Sequence, residues 1–136
     1  MTDLLVDTSV AVPLLVTSHV AHGLVGAWIG DRSVALSGHA LDETYAVLTR
    51  LPGDARVGRE DAVRLLRERF DSAVVLDARS TRSAPAVLAA SGVAGGATYD
   101  GLVALAARAT GLSLASRDRR AQSTYRMLDV PVEMIG

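Results

Sequence analysis

Leu4-Leu5-Val6-Asp7-Thr8-Ser9-Val10 is the stretch that decides the fold. Three apolar residues after a polar start read as a short buried strand. Asp7 follows directly, and a largely apolar helical stretch runs from about Ser9 to Ile29. Pro13 is tolerated near its first turn. Gly23 and Gly26 disfavour one straight helix there and favour two short ones.

The rest of the chain repeats this strand-then-helix order. Val34 to Leu36 reads as a second strand, followed by a helix over about His39 to Leu51 that Pro52-Gly53 ends. Gly58 to Phe70 has the pattern of a surface helix, with Val63, Leu66 and Phe70 facing inward. Ala73 to Leu76 is a third strand and Ala84 to Ala90 another helix; Gly92 to Gly96 form a loop. A notably apolar helix spans about Thr98 to Thr110, with Gly111 as its C-cap. Leu112 to Ser116 and Val132 to Ile135 complete the strands. Short apolar strands alternating with helices predict one α/β domain over residues 1–136, a parallel sheet covered by helices on both faces.

Composition narrows the chemistry. The 136 residues suit one domain, and 49% of them are apolar, which argues against disorder. Cysteine is absent, so disulfides, zinc–thiolate sites and thiol nucleophiles are excluded. All 14 basic residues are arginine. Without lysine there is no Walker P-loop and no Schiff base, and arginine alone must supply any phosphate contacts. No apolar run approaches the roughly 20 residues needed to span a bilayer, and a strand begins almost at once after Met1. The expectation is a cytoplasmic protein with no membrane association.

Four carboxylates then stand out. Asp7 and Asp118 each follow a strand, at the carboxyl end where open parallel sheets place their sites. Each also suits the start of a turn or a helix cap. Glu43 borders the stripe Ala40, Thr44, Val47, Leu48 and Leu51, where a carboxylate needs a partner unless it reaches past the edge to water. Asp100 opens the apolar helix, near the end where the macrodipole favours negative charge. Together, four such groups at one sheet edge would repel, and a hard divalent cation would relieve that repulsion. Carboxylates with a metal, without lysine or cysteine, point to phosphodiester hydrolysis.

The segments LLVDTSV (Leu4 to Val10), LDETYAVLTRLP (Leu41 to Pro52), TYDGLVALAARATG (Thr98 to Gly111) and LASRDRRA (Leu114 to Ala121) together resemble the PIN domain, in the order and spacing of VapC toxins. The resemblance covers nearly the whole chain. It implies a Rossmann-like, metal-dependent endoribonuclease, the toxin of a toxin–antitoxin pair. Asp7, Glu43, Asp100 and Asp118 match the family's acidic quartet, which binds magnesium (manganese being the second candidate) and activates water. Ser116 matches a small hydroxyl residue beside the pocket, and Thr8 and Ser9 are placed to hydrogen-bond Asp7. A homodimer and a VapB-type antitoxin are the partners it implies, besides RNA. Some relatives carry a further acid after the fourth position. Here Arg119 and Arg120 follow Asp118, which weighs against a second metal ion. With Arg117 they either contact RNA phosphates or form a solvated helix start.

Weaker signals are read blandly. His39 lies four residues before Glu43, a spacing that permits a shared ion but lacks a third ligand. His19 and His22 read as ordinary surface or core residues. Aromatic residues make up only 4% of the chain, and no stacking platform for single-stranded RNA is legible. Two rival functions remain. A phosphatase of the haloacid dehalogenase type needs a second aspartate where Ser9 stands. A non-catalytic module would keep the acidic pocket only to dock a basic peptide.

Overall fold

The computed structural model describes residues 1–136. Five short strands form one sheet: β1 (Leu4–Val6), β2 (Val34–Ser37), β3 (Ala73–Val74), β4 (Leu114–Ser116) and β5 (Val132–Met134). Their order is β3-β2-β1-β4-β5, and every neighbouring pair is parallel. β1, β2 and β4 are buried along their whole length, which is why they carry uninterrupted apolar runs rather than alternation.

Seven helices connect them: α1 (Thr8–Leu15), α2 (His22–Ile29), α3 (Gly38–Thr49), α4 (Arg59–Arg69), α5 (Ala78–Ala90), α6 (Ala97–Thr110) and α7 (Arg119–Met127). The chain moves one way across the sheet from β1 to β3, then jumps back past β1 to β4 and β5. Right-handed crossovers therefore put α1 to α4 on one face and α5 to α7 on the other. Leu5, Val6, Val10, Leu36, Leu48, Leu114, Tyr125 and Leu128 are buried in the core between these layers. Gly101 lets α6 approach α5 closely: a Cβ there would lie 2.5 Å from Leu88 Cδ2.

Several boundaries differ from the sequence reading. The first helical stretch does divide, but at residues 16–21; Gly23 and Gly26 lie inside α2. His19 Nδ1 accepts from the Ala21 amide and His22 Nδ1 pairs with the Pro13 carbonyl, so both histidines brace the corner. The third strand is only two residues long, at a sheet edge with one neighbour. α5 begins six residues before Ala84, because Asp77 caps it through the Ser80 amide at 2.7 Å. In α4, Ala62 and Leu66 face the core while Val63 is exposed. Gly111 ends α6 in the left-handed conformation (φ 71°), as expected of a C′ glycine.

Candidate active site

The order in which the chain adds strands reverses between β1 and β4, and that switch point is where Asp7 and Asp118 stand. Asp7 follows β1 with its amide donating to the Ala115 carbonyl of β4 at 3.2 Å. Its side chain is the N-cap of α1: Oδ1 accepts from the Ser9 amide at 3.1 Å and from the Ser9 hydroxyl. Oδ2 accepts from the buried Tyr125 hydroxyl at 2.7 Å. Asp7 is only 5% exposed. Burial raises its pKa, and the hydroxyls of Ser116, Ser9 and Tyr125 pull it partly back.

Asp118 caps α7, with Oδ1 accepting from the Arg120 amide at 2.9 Å and from that of Ala121 at 3.4 Å. The cap and the sheet-edge position thus coincide in both aspartates; one reading does not displace the other. Ser116 fixes the turn, accepting from the Asp118 amide at 3.0 Å, and lies 3.4 Å from the Ser9 hydroxyl. Ser9 in turn accepts from the Arg117 amide at 2.7 Å.

Glu43 projects from α3 toward solvent, past the edge of the buried face formed by Ala40, Thr44 and Leu48. Thr8 donates to its Oε2 at 3.2 Å, and Thr44 donates to Thr8 at 3.2 Å. The expectation that Thr8 serves Asp7 is therefore corrected. Thr8 is the first residue of α1, and α1 packs on α3, so its hydroxyl meets Glu43 instead. His39, one turn before Glu43, holds Nε2 at 3.7 Å from the same oxygen.

Asp100 lies in the first turn of α6, which contacts α3 across the sheet's carboxyl edge. Its pKa is pushed up to about 6, first by burial and then by the charges of Asp118, Asp7 and Glu43, with His39 acting against them. All four acids therefore share one electrostatic neighbourhood. As placed, no three acids or histidines converge tightly enough to cage an ion with protein ligands alone. Magnesium ordinarily keeps several waters and takes one or two carboxylates directly, so a loose, all-oxygen set fits it better than it fits zinc. Arg119 and Arg120 are exposed; Arg119 reaches the Gly136 carbonyl at 3.5 Å and Arg120 Nε is 4.0 Å from Asp118. Arg117 is half-buried, and its Nε has no hydrogen-bond partner.

Ala121, Thr124 and Tyr125 follow the i, i+3, i+4 spacing of the buried face of α7, so the burial of Tyr125 was open to a sequence reading that passed over it; its pairing with Asp7 is purely tertiary. The stack of His39 on Tyr99, with centroids 5.2 Å apart and planes 13° from parallel, was equally invisible.

A parallel sheet with acids gathered at its switch point defines the class, and a family model agrees. Residues 4–127 match the PIN domain, and the chain belongs to that family. Within it the chain groups with the VapC-type ribonucleases. It is 55% identical to Ribonuclease VapC27 of Mycobacterium tuberculosis over 129 residues, covering 95% of this chain and 94% of that one. Among solved structures it resembles FitAB bound to an IR36 DNA fragment (TM-score 0.67, 22% identity, 96% and 94% of the two chains). VapBC2 from Rickettsia felis, bound to a DNA fragment from its promoter, is similar at TM-score 0.66 and 16% identity, over 98% of each chain. No helix is long and apolar enough to cross a membrane.

Proposed function

We propose that this protein is a magnesium-dependent endoribonuclease acting as the toxin of a VapBC-type pair, with manganese as an alternative ion. The observation that carries the reading is the placement of Asp7 and Asp118 at the switch point of the parallel sheet, with the pKa of Asp100 held up to about 6 first by burial and then by the charges of Asp118, Asp7 and Glu43. Bound there, the ion would lower the pKa of a coordinated water and stabilise charge on the phosphoryl group under attack. Asp7, Glu43 and Asp118 would hold it directly or through water. Asp100, in the first turn of α6, would complete the pocket and orient the attacking water. Ser9, Ser116 and Tyr125 hold Asp7 in place, and Thr8 holds Glu43.

A ribonuclease that cuts cellular RNA needs restraint, and the acidic cleft suits a basic segment of a VapB-type antitoxin. FitAB and VapBC2 are both described as bound to DNA, which supports a pair that is recruited to its own promoter. We further propose a homodimer. A phosphatase of the haloacid dehalogenase type is disfavoured, because the Ser9 hydroxyl is committed to Asp7.

The test is incubation of purified protein with total RNA, with magnesium, with manganese and with EDTA. Discrete cleavage products that need the ion and vanish in Asp118→Asn are expected. Identical RNA patterns in all lanes would refute the reading.

A further inference from the structure

We infer that Tyr99, backed by His39, forms a shelf on which one RNA base stacks beside the acidic cleft. The inference rests on the ribonuclease reading and deepens it, since it assigns a base-contacting residue where composition suggested none.

The sequence has five tyrosine, phenylalanine and tryptophan residues in all. Phe70 and Tyr125 are buried, and Trp28 and Tyr45 are half-buried. Tyr99 alone is exposed, at 59%. Exposure of a single ring is ordinary, but here the ring is held rather than loose. It lies nearly flat on the imidazole of His39, at 5.2 Å and 13°. His39 is itself fixed in the first turn of α3, with Nε2 3.7 Å from Glu43. Tyr99 immediately precedes Asp100 in the first turn of α6. The shelf is thus tied at both ends to members of the acidic set, one by a side-chain contact and one by a peptide bond. His39 also borders a recess lined by Ser37, Gly38, Val75, Leu102 and Ala106.

A phosphate drawn to the cleft brings a base with it. Single-stranded RNA is gripped by stacking its splayed bases on aromatic faces, tolerant of base identity because every base offers a π-face. A pre-stacked His–Tyr pair presents such a face without further ordering of the tyrosine. Tyr99 therefore supplies affinity and register, setting which phosphate reaches the acids.

The experiment uses a fluorescein-labelled single-stranded oligoribonucleotide and an Asp118→Asn background that leaves the probe uncut. Tyr99→Ala is expected to weaken binding by about five- to 150-fold, the range of one lost base stack, while Tyr99→Phe and Tyr99→Trp stay close to the parent. Moving a single abasic position along the probe should reproduce that loss at one position only, and Tyr99→Ala should abolish the abasic effect. In the Asp118 protein, Tyr99→Ala should raise KM or shift the cleaved position. Unchanged binding and cleavage in Tyr99→Ala would overturn the shelf and leave the ribonuclease reading standing. So would a loss indifferent to the abasic position, or an altered oligomeric state in place of an RNA effect. Stacking without magnesium-dependent cleavage would keep the shelf and sink the nuclease reading; neither binding nor cleavage by the parent would overturn both.

Discussion

Tyr125 and Asp7, 118 positions apart, are joined by a buried hydrogen bond of 2.7 Å. The phenol is 1% exposed, and burial together with the adjacent Asp7 charge pushes its pKa far up, so it remains a donor at every physiological pH. The bond stabilises the charged form of Asp7 against a burial that favours the neutral one. Tyr125→Phe should therefore shift the acid limb of the cleavage–pH profile to higher pH. Loss of a hydrogen bond to a buried charged group should also destabilise the fold by about 1.5–3 kcal/mol, measured by urea unfolding. An unmoved acid limb would show that the phenol does not tune Asp7.

Asp7→Asn keeps the size of the side chain and its α1 cap while removing the charge. Cleavage should fall to background if the carboxylate holds the ion. Thermal melting should stay cooperative, since the variant removes a buried charge from a repelling cluster. Cleavage at the parental rate would remove Asp7 from the site.

Asp100 links pH, metal and stability. Its folded pKa of about 6 lies above the ordinary aspartate value, so between those two values the folded protein binds the proton more tightly than the unfolded chain. Without a divalent ion, its contribution is fully present below about pH 4 and is lost as pH rises through 6. Magnesium competes with that proton. The rise in melting temperature on adding magnesium should be small at pH 5 and larger at pH 7.5; Asp100→Asn should flatten this dependence. A magnesium effect equal at both pH values would exclude Asp100 from the ion's surroundings.

Thr8 joins Glu43 to the buried hydroxyl of Thr44. Thr8→Val should release Glu43 and weaken apparent magnesium affinity by about 10- to 100-fold, as loss of an outer partner does at metal sites. Titration of cleavage against magnesium reads this directly. Pairing it with Thr44→Val removes the orphaned hydroxyl and separates the stability cost from the effect on metal.

Gly101→Ala puts a Cβ 2.5 Å from Leu88 Cδ2 and 3.3 Å from Val93 Cγ1. Helix α6 must then move from α5 or Leu88 must change rotamer, at about 1–3 kcal/mol. Because α6 carries Asp100 and Tyr99, RNA cleavage should fall along with the melting temperature. Leu88→Ala in the same protein should restore part of both.

Much of this was written locally. Leu4–Val6, Val34–Leu36 and Leu114–Ser116 announce buried parallel strands because an unbroken apolar run has no solvent face to display. Gly111 announces its helix end because the left-handed conformation tolerates it best. The order of strands and helices thus fixed the fold class, and the positions of Asp7 and Asp118 after two strands marked a sheet edge. What no local pattern specifies is which atoms meet once that edge forms. Thr8 turned to Glu43 rather than Asp7, Tyr125 crossed the sheet to reach Asp7, and Tyr99 found His39. Those pairings arise from the packing of α1 on α3, of α3 on α6, and of both α1 and α7 on β4. Side-chain direction across an interface depends on helix rotation and approach, which the chain sets only when every layer is in place.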